Sequence, residues 1–152
     1  MAKTAADMVA EAKTRVENLT VEQAAEEIER GDALLIDIRE PGEREGDGFI
    51  PEAVPAPRGM IEFWADPSSP YHRAEFQPER RVILHCASGG RSALAAQTLQ
   101  ELGYSNVAHM DGGIKAWNSS GRAVAHEHQF GRSGRLSGSI PTAAERPRPP
   151  QS

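Results

Sequence analysis

Apolar positions in this chain fall into two patterns, helical stripes and short unbroken runs, and the two alternate. Met8, Ala12, Val16 and Leu19 recur at three- to four-residue intervals behind a Thr4–Asp7 capping box, which predicts a first helix with a narrow apolar face. Thr20 and Gln23 form a second capping box. Val21, Ala24, Ala25 and Ile28 stripe the helix it opens, and Gly31 is the predicted stop. The run Ala33-Leu34-Leu35-Ile36-Asp37-Ile38 comes next. Its continuity fits a strand covered on both faces, as in a parallel sheet. From Pro41 to Gln77 glycine and proline break the pattern, leaving a short strand and turn around 49–55 and a short helix over Met60–Trp64. Val82–Cys86 is the clearest strand. Leu94, Ala95, Leu99 and Leu102 mark the core side of a helix running from Ser92 to Leu102 and ended by Gly103. A strand over Asn106–Met110, the turn Asp111-Gly112-Gly113 and a short helix over Ile114–Ser119 complete the pattern. Strands alternating with helices predict an α/β fold with a parallel sheet and crossover helices.

Composition narrows the function classes. At 152 residues the chain suits one domain with a core large enough to hold without disulfides or metal. Its single cysteine allows no internal disulfide, no leader-like apolar segment opens the chain, and no apolar run approaches the roughly 20 residues of a membrane span. A cytoplasmic location without membrane association is the expectation. From Arg122 onward five arginines face two glutamates, a net of +3, which leaves −8 on the rest of the chain. An acidic body argues against nucleic-acid binding and requires a local positive site for any anionic substrate. The Pro-, Arg- and Ser-rich segment 125–152 has too little apolar surface to offset its ordering entropy and reads as a disordered tail. The predicted organisation is a helical extension over 1–17, a folded domain over 18–124 and that tail.

The one thiol carries the candidate chemistry. Cys86 opens the run Cys86-Ala87-Ser88-Gly89-Gly90-Arg91-Ser92, between a strand and the start of a helix. There the helix dipole and inward-turned backbone N–H groups favour an anion, and small residues let the chain curl. Arg91 adds a fixed positive charge at the rim. The sequence alone also allows a plain buried core cysteine, since free cysteine is among the most buried residue types.

Four motifs in order, over about Leu19 to Ala123, resemble the rhodanese family of sulfurtransferases. They are Asp37-Ile38-Arg39-Glu40 after an apolar strand, Gly48-Phe49-Ile50-Pro51-Glu52-Ala53, the Cys86 loop with its Cys-x-x-Gly-x-Arg spacing, and Gly103-Tyr104-Ser105-Asn106-Val107 followed by Gly112-Gly113 and Trp117. Phe49 and Glu52 depart from the His and Gly usual in the second motif. The resemblance implies a rhodanese-like fold, a central, mostly parallel sheet with helices on both faces. It implies Cys86 as a persulfide-forming nucleophile, with the N–H groups of Ala87, Ser88, Gly89, Gly90 and Arg91 cradling the transferred sulfur. Arg91 would bind the substrate anion, with Arg39 as a further contact and Asp37 and Ser92 as structural support. It implies a small anionic sulfur donor such as thiosulfate, an external acceptor (cyanide, a thiol or a partner protein), and no metal or organic cofactor.

Two other readings remain open at this point. His85-Cys86 looks like the start of a cysteine-phosphatase signature, but only four residues separate Cys86 from Arg91 and Ser92 stands where that signature needs arginine. A shorter loop fits one sulfur atom better than a tetrahedral oxyanion. The module could also be a non-catalytic binding or regulatory domain, although Cys86 and Arg91 are both present. His85 points away from Cys86 by strand alternation, while His72 and His109 read as surface or packed residues.

Overall fold

The computed structural model of the chain describes residues 2–126. Helix α1 (Ala5–Arg15) is followed by β1 (Glu17–Leu19), α2 (Val21–Arg30), β2 (Leu34–Asp37), α3 (Pro41–Asp47), β3 (Val54–Pro55) and, after a 3-10 turn at Arg58–Met60, α4 (Ile61–Ala65). Then come β4 (Val82–His85), α5 (Gly90–Glu101), β5 (Val107–Met110) and α6 (Gly113–Ser119). The five strands form one sheet in the order β1-β5-β4-β2-β3, and every pair is parallel. This is the predicted α/β architecture.

The unbroken apolar runs are buried on both faces because the sheet is a middle layer. Leu34, Ile36, Val82, Leu84, Cys86 and Val107 face one core with Ile61, Trp64, Phe76 and the buried side of α5. Leu35, Ile83, Ala108 and Met110 face the other with Val21, Ala24, Ala25, Ile114 and Trp117 from α2 and α6. Helix α1 forms an extra layer, packed on the outside of α5. That is why α5 buries Ala93 as well as Ala95, Ala96 and Leu99, while Leu94, predicted for the core, is only half-buried.

Both predicted capping boxes form. The Thr4 and Thr20 hydroxyls accept from the N–H groups of Asp7 and Gln23, whose side chains reach back to the cap N–H. Four elements differ from the sequence pattern. The first helix ends at Arg15, with Val16 already extended, and Leu19 belongs to β1 and not to the helical stripe. Strand β1 was hidden by its length of three residues and its polar Glu17 and Asn18, which suit an edge. Helix α3 was hidden by Gly42 and Gly46, but Pro41 in its first turn and the reciprocal Glu40–Glu43 cap stabilise its start. Helix α5 begins at Gly90, two residues before the predicted start, with Gly89 as a left-handed N-cap at φ 110°. The bridge between Phe49 and Ala125 shows that pairing reaches the first residues assigned to the tail. The expectation of disorder beyond that point concerns residues 127–152, which lie outside the described residues.

Candidate active site

The carboxyl ends of the strands converge on the central strand β4, and Cys86 follows its last residue. In an open parallel sheet that edge is where ligands bind. The loop owes its shape to three contacts. Gly89 takes a φ of 110° that only glycine adopts without strain, and a Cβ there would press on Asp111 Oδ1 at 2.8 Å. The N–H groups of Ile114 and Lys115, in the first turn of α6, donate to the carbonyls of Cys86 at 2.9 Å and Ala87 at 3.1 Å. Gly113, at φ 60°, permits this approach, since a Cβ on it would collide with those same two carbonyl oxygens.

The turned loop directs backbone donors at the sulfur. The N–H of Gly89 points at Cys86 Sγ from 3.2 Å and that of Ser92 from 3.4 Å, while the thiol donates to Ser92 Oγ at 3.5 Å. Burial pushes the thiol up, but the hydroxyl and N–H of Ser92 and the N–H groups of Gly89 and Ser88 outweigh it, so the group is held below its ordinary value. Ser92 therefore does more than the structural support predicted for it. Of the N–H groups proposed as a cradle, those of Gly89 and Ser88 act on the sulfur. Cys86 is almost fully buried and Ser88 is exposed at the mouth. Beside the mouth lies an open cleft of about 420 Å³ lined by Thr20, Glu22, Ser88, Asp111, Gly112 and Ala116.

Arg91 lies at the rim, half-exposed, with its guanidinium on both carboxylate oxygens of Glu43 at 2.7 and 2.8 Å. The hydrogen bonds from Arg91 hold Glu43 down at about 2, against a smaller opposing effect of burial. No sequence motif pointed to Glu43, because its helix was not foreseen.

Arg39 is a correction. Its side chain is fully buried. Nε and Nη2 donate to the two Asp37 carboxylate oxygens at 3.0 and 2.8 Å, and Nη2 also donates to the Gly48 carbonyl at 2.8 Å. It braces the β2 end, and its Nη1 donates to the Glu43 carbonyl at 3.4 Å. Asp37 is fully buried, and Arg44 also donates to it at 3.2 Å. The Arg44 guanidinium stacks 4.5 Å from the centre of the Phe49 ring, which gives the Phe49 departure a physical role. Burial of Asp37 opposes ionisation, but the hydrogen bonds from Arg39 prevail and its carboxyl stays below the usual range. His85 lies on this Asp37 side of β4, away from the thiol, with Nε2 3.8 Å from Asp37 Oδ2.

His109 is packed, as its sequence setting suggests, and fully buried. It also touches the site, with Nδ1 2.9 Å from Ser92 Oγ. The available signal was strand parity. His109 is in register with Leu84, which shares a face with Cys86. Among the described residues no group of three or more His, Cys, Asp or Glu side chains is arranged to hold a metal ion, and no helix is long and apolar enough to cross a membrane.

A parallel five-stranded sheet with a cysteine loop at its carboxyl edge defines a class of small α/β domains. The rhodanese-like domain profile matches residues 20–120, and the chain belongs to that family. A sulfurtransferase of Allochromatium vinosum is 38% identical over 93 residues, spanning 61% of this chain and 78% of that protein. Among solved structures, a Rhodopseudomonas palustris protein of unknown function, described as a possible tyrosine phosphatase, is 41% identical with a TM-score of 0.77, over 82% of this chain and 96% of that one. The polysulfide-sulfur transferase homodimer of Wolinella succinogenes is 28% identical with a TM-score of 0.65, over 79% and 85% of the two chains.

Proposed function

We propose that this domain is a sulfurtransferase that carries sulfane sulfur as a persulfide on Cys86. The observation that supports it most is the aim of the Gly89 and Ser92 N–H groups at Sγ itself, in a loop with only four residues between Cys86 and Arg91. With thiosulfate as donor, the Cys86 thiolate attacks the sulfane sulfur. A Cys–S–S bond forms, the S–S bond of thiosulfate breaks, and sulfite leaves with the electron pair. The acceptor, cyanide or a thiolate, then attacks the outer sulfur, and the bonding pair returns to Cys86. These 152 residues contain no second cysteine to resolve the persulfide, so the acceptor comes from outside them, as a small molecule or a partner protein. Arg91 gives the donor anion its positive charge while Glu43 fixes its direction. No step calls for a metal or organic cofactor. In this reading residues 18–124 carry the chemistry, residues 1–17 are a helical extension and 125–152 a tail, with cytoplasmic action and no nucleic-acid partner.

Phosphatase chemistry is the second reading, favoured by the description of the R. palustris relative. Against it stands the short loop, with only four residues between Cys86 and Arg91. Thiocyanate formation from thiosulfate or polysulfide with cyanide, run beside hydrolysis of an aryl phosphate, separates the two. Sulfur transfer without phosphate release is the expected outcome, and the reverse result overturns the proposal.

A further inference from the structure

Behind Cys86 runs a chain of hydrogen bonds that leads out of the loop and across the sheet. Ser92 Oγ is 3.5 Å from Cys86 Sγ and 2.9 Å from His109 Nδ1, and His109 Nε2 is 2.6 Å from Asn18 Oδ1. Asn18 Nδ2 is already committed, donating to the carbonyls of Lys13 at 2.9 Å and Val16 at 3.1 Å. The amide is thereby oriented with its oxygen toward the imidazole. An amide oxygen only accepts, so Nε2 carries the proton, and in the neutral ring Nδ1 is left with a lone pair. The Ser92 hydroxyl donates to that lone pair at 2.9 Å and turns its oxygen toward the thiol as an acceptor. Every link is satisfied while the sulfur keeps its proton. Once the sulfur is an anion, the same hydroxyl proton is wanted in two places.

We propose that His109, with its tautomer set by Asn18, is a positioning residue that competes with Cys86 for the Ser92 hydroxyl proton and so weakens the hold of that hydroxyl on the thiolate. The thiol concerned is the one used in the proposed transfer, yet the relay stands on hydrogen-bond directions and is tested without sulfur transfer. Burial holds His109 down at about 4, with Asp111 opposing that effect and Lys13 adding to it, so the ring is neutral near neutral pH. The charged groups around the relay are Lys13 from α1 and Asp111 after β5, paired at 2.9 Å, and Arg91 at the rim, paired with Glu43. Neither pair contacts the Ser92 hydroxyl.

The test is the pH profile of Cys86 alkylation by iodoacetamide in the wild type, His109→Phe, Ser92→Ala and the double variant. Phenylalanine fills the buried site but takes no proton, which leaves the hydroxyl to the thiolate. The profile of His109→Phe moves to lower pH, with about tenfold more thiolate at a given acid pH for every pH unit the curve moves. That of Ser92→Ala moves to higher pH. In the Ser92→Ala background, His109→Phe produces no further move. An unmoved or upward profile for His109→Phe, or the same downward move without Ser92, overturns the proposal. The ¹⁵N chemical shifts of the wild-type imidazole decide independently of any variant's folding: an Nε2–H tautomer at neutral pH is the expected result, and an Nδ1–H tautomer contradicts it.

Discussion

The guanidinium of Arg91 grips both carboxylate oxygens of Glu43, which ties the rim of the Cys86 loop to α3, a helix 48 residues earlier in the chain. A lysine would keep the charge but not the fork of two parallel hydrogen bonds. Arg91→Lys is expected to lower kcat/KM for an anionic sulfur donor by roughly 10- to 100-fold, the equivalent of one charge-assisted hydrogen bond. Its melting temperature should change little, because the pair is partly exposed. Steady-state kinetics check this, and a fully active Arg91→Lys protein would exclude the guanidinium fork from donor binding.

Asp37 receives Arg39 and Arg44 in a fully buried setting. Replacing it with asparagine leaves the Arg39 charge without its counter-ion, at a cost of about 3–5 kcal/mol. Urea denaturation should show that loss, while the thiol chemistry of the remaining folded protein persists. A loss of alkylation rate in Asp37→Asn at full stability would instead place Asp37 in the reactive site.

The two anchors differ in how far the sequence revealed them. Cys86, its loop and the strand before it were legible, because a buried parallel strand leaves an unbroken apolar run and a tight loop requires small residues at fixed offsets. Asp37 entered through the family resemblance alone, as structural support. Arg39 was misplaced, since a motif shows that an arginine stands at a strand end but not which way its side chain turns; the Gly48 carbonyl and the Asp37 carboxylate decide that. Glu43 and Asn18 were invisible. Their elements are a helix whose two glycines masked its Pro41 start and Glu40–Glu43 cap, and a three-residue edge strand with no apolar run. His109 could have been reached by counting strand parity from Cys86 across β4 and β5.

Gly113 has a positive φ and no room for a side chain against the loop carbonyls. Gly113→Ala is expected to lose at least about 1–3 kcal/mol from backbone strain alone and to move the loop from α6. Thermal unfolding and iodoacetamide reactivity should both change. A Gly121→Ala control, also at positive φ but in open space, should alter stability alone.

Acid should destabilise the fold before carboxylates are protonated. Burial holds His109 down at about 4 in the folded chain, against an ordinary value of 6.5, and burial lowers His85 as well. Between those values the unfolded chain binds protons that the folded chain refuses, so stability falls as pH drops from about 6.5 to 4. His109 alone accounts for about 3 kcal/mol of this. Urea midpoints measured at steps across that window should decline, and His109→Phe should flatten the decline. A wild-type curve that is level down to pH 4 would contradict the assignment of a buried neutral ring.

The central claim is that sulfur rests on Cys86 between donor and acceptor. Intact mass spectrometry after incubation with thiosulfate or a polysulfide reads this directly. The predicted result is a gain of one sulfur atom in the wild type that cyanide or a thiol removes and that Cys86→Ala never shows. No gain with either donor, or a gain that persists in Cys86→Ala, would contradict it.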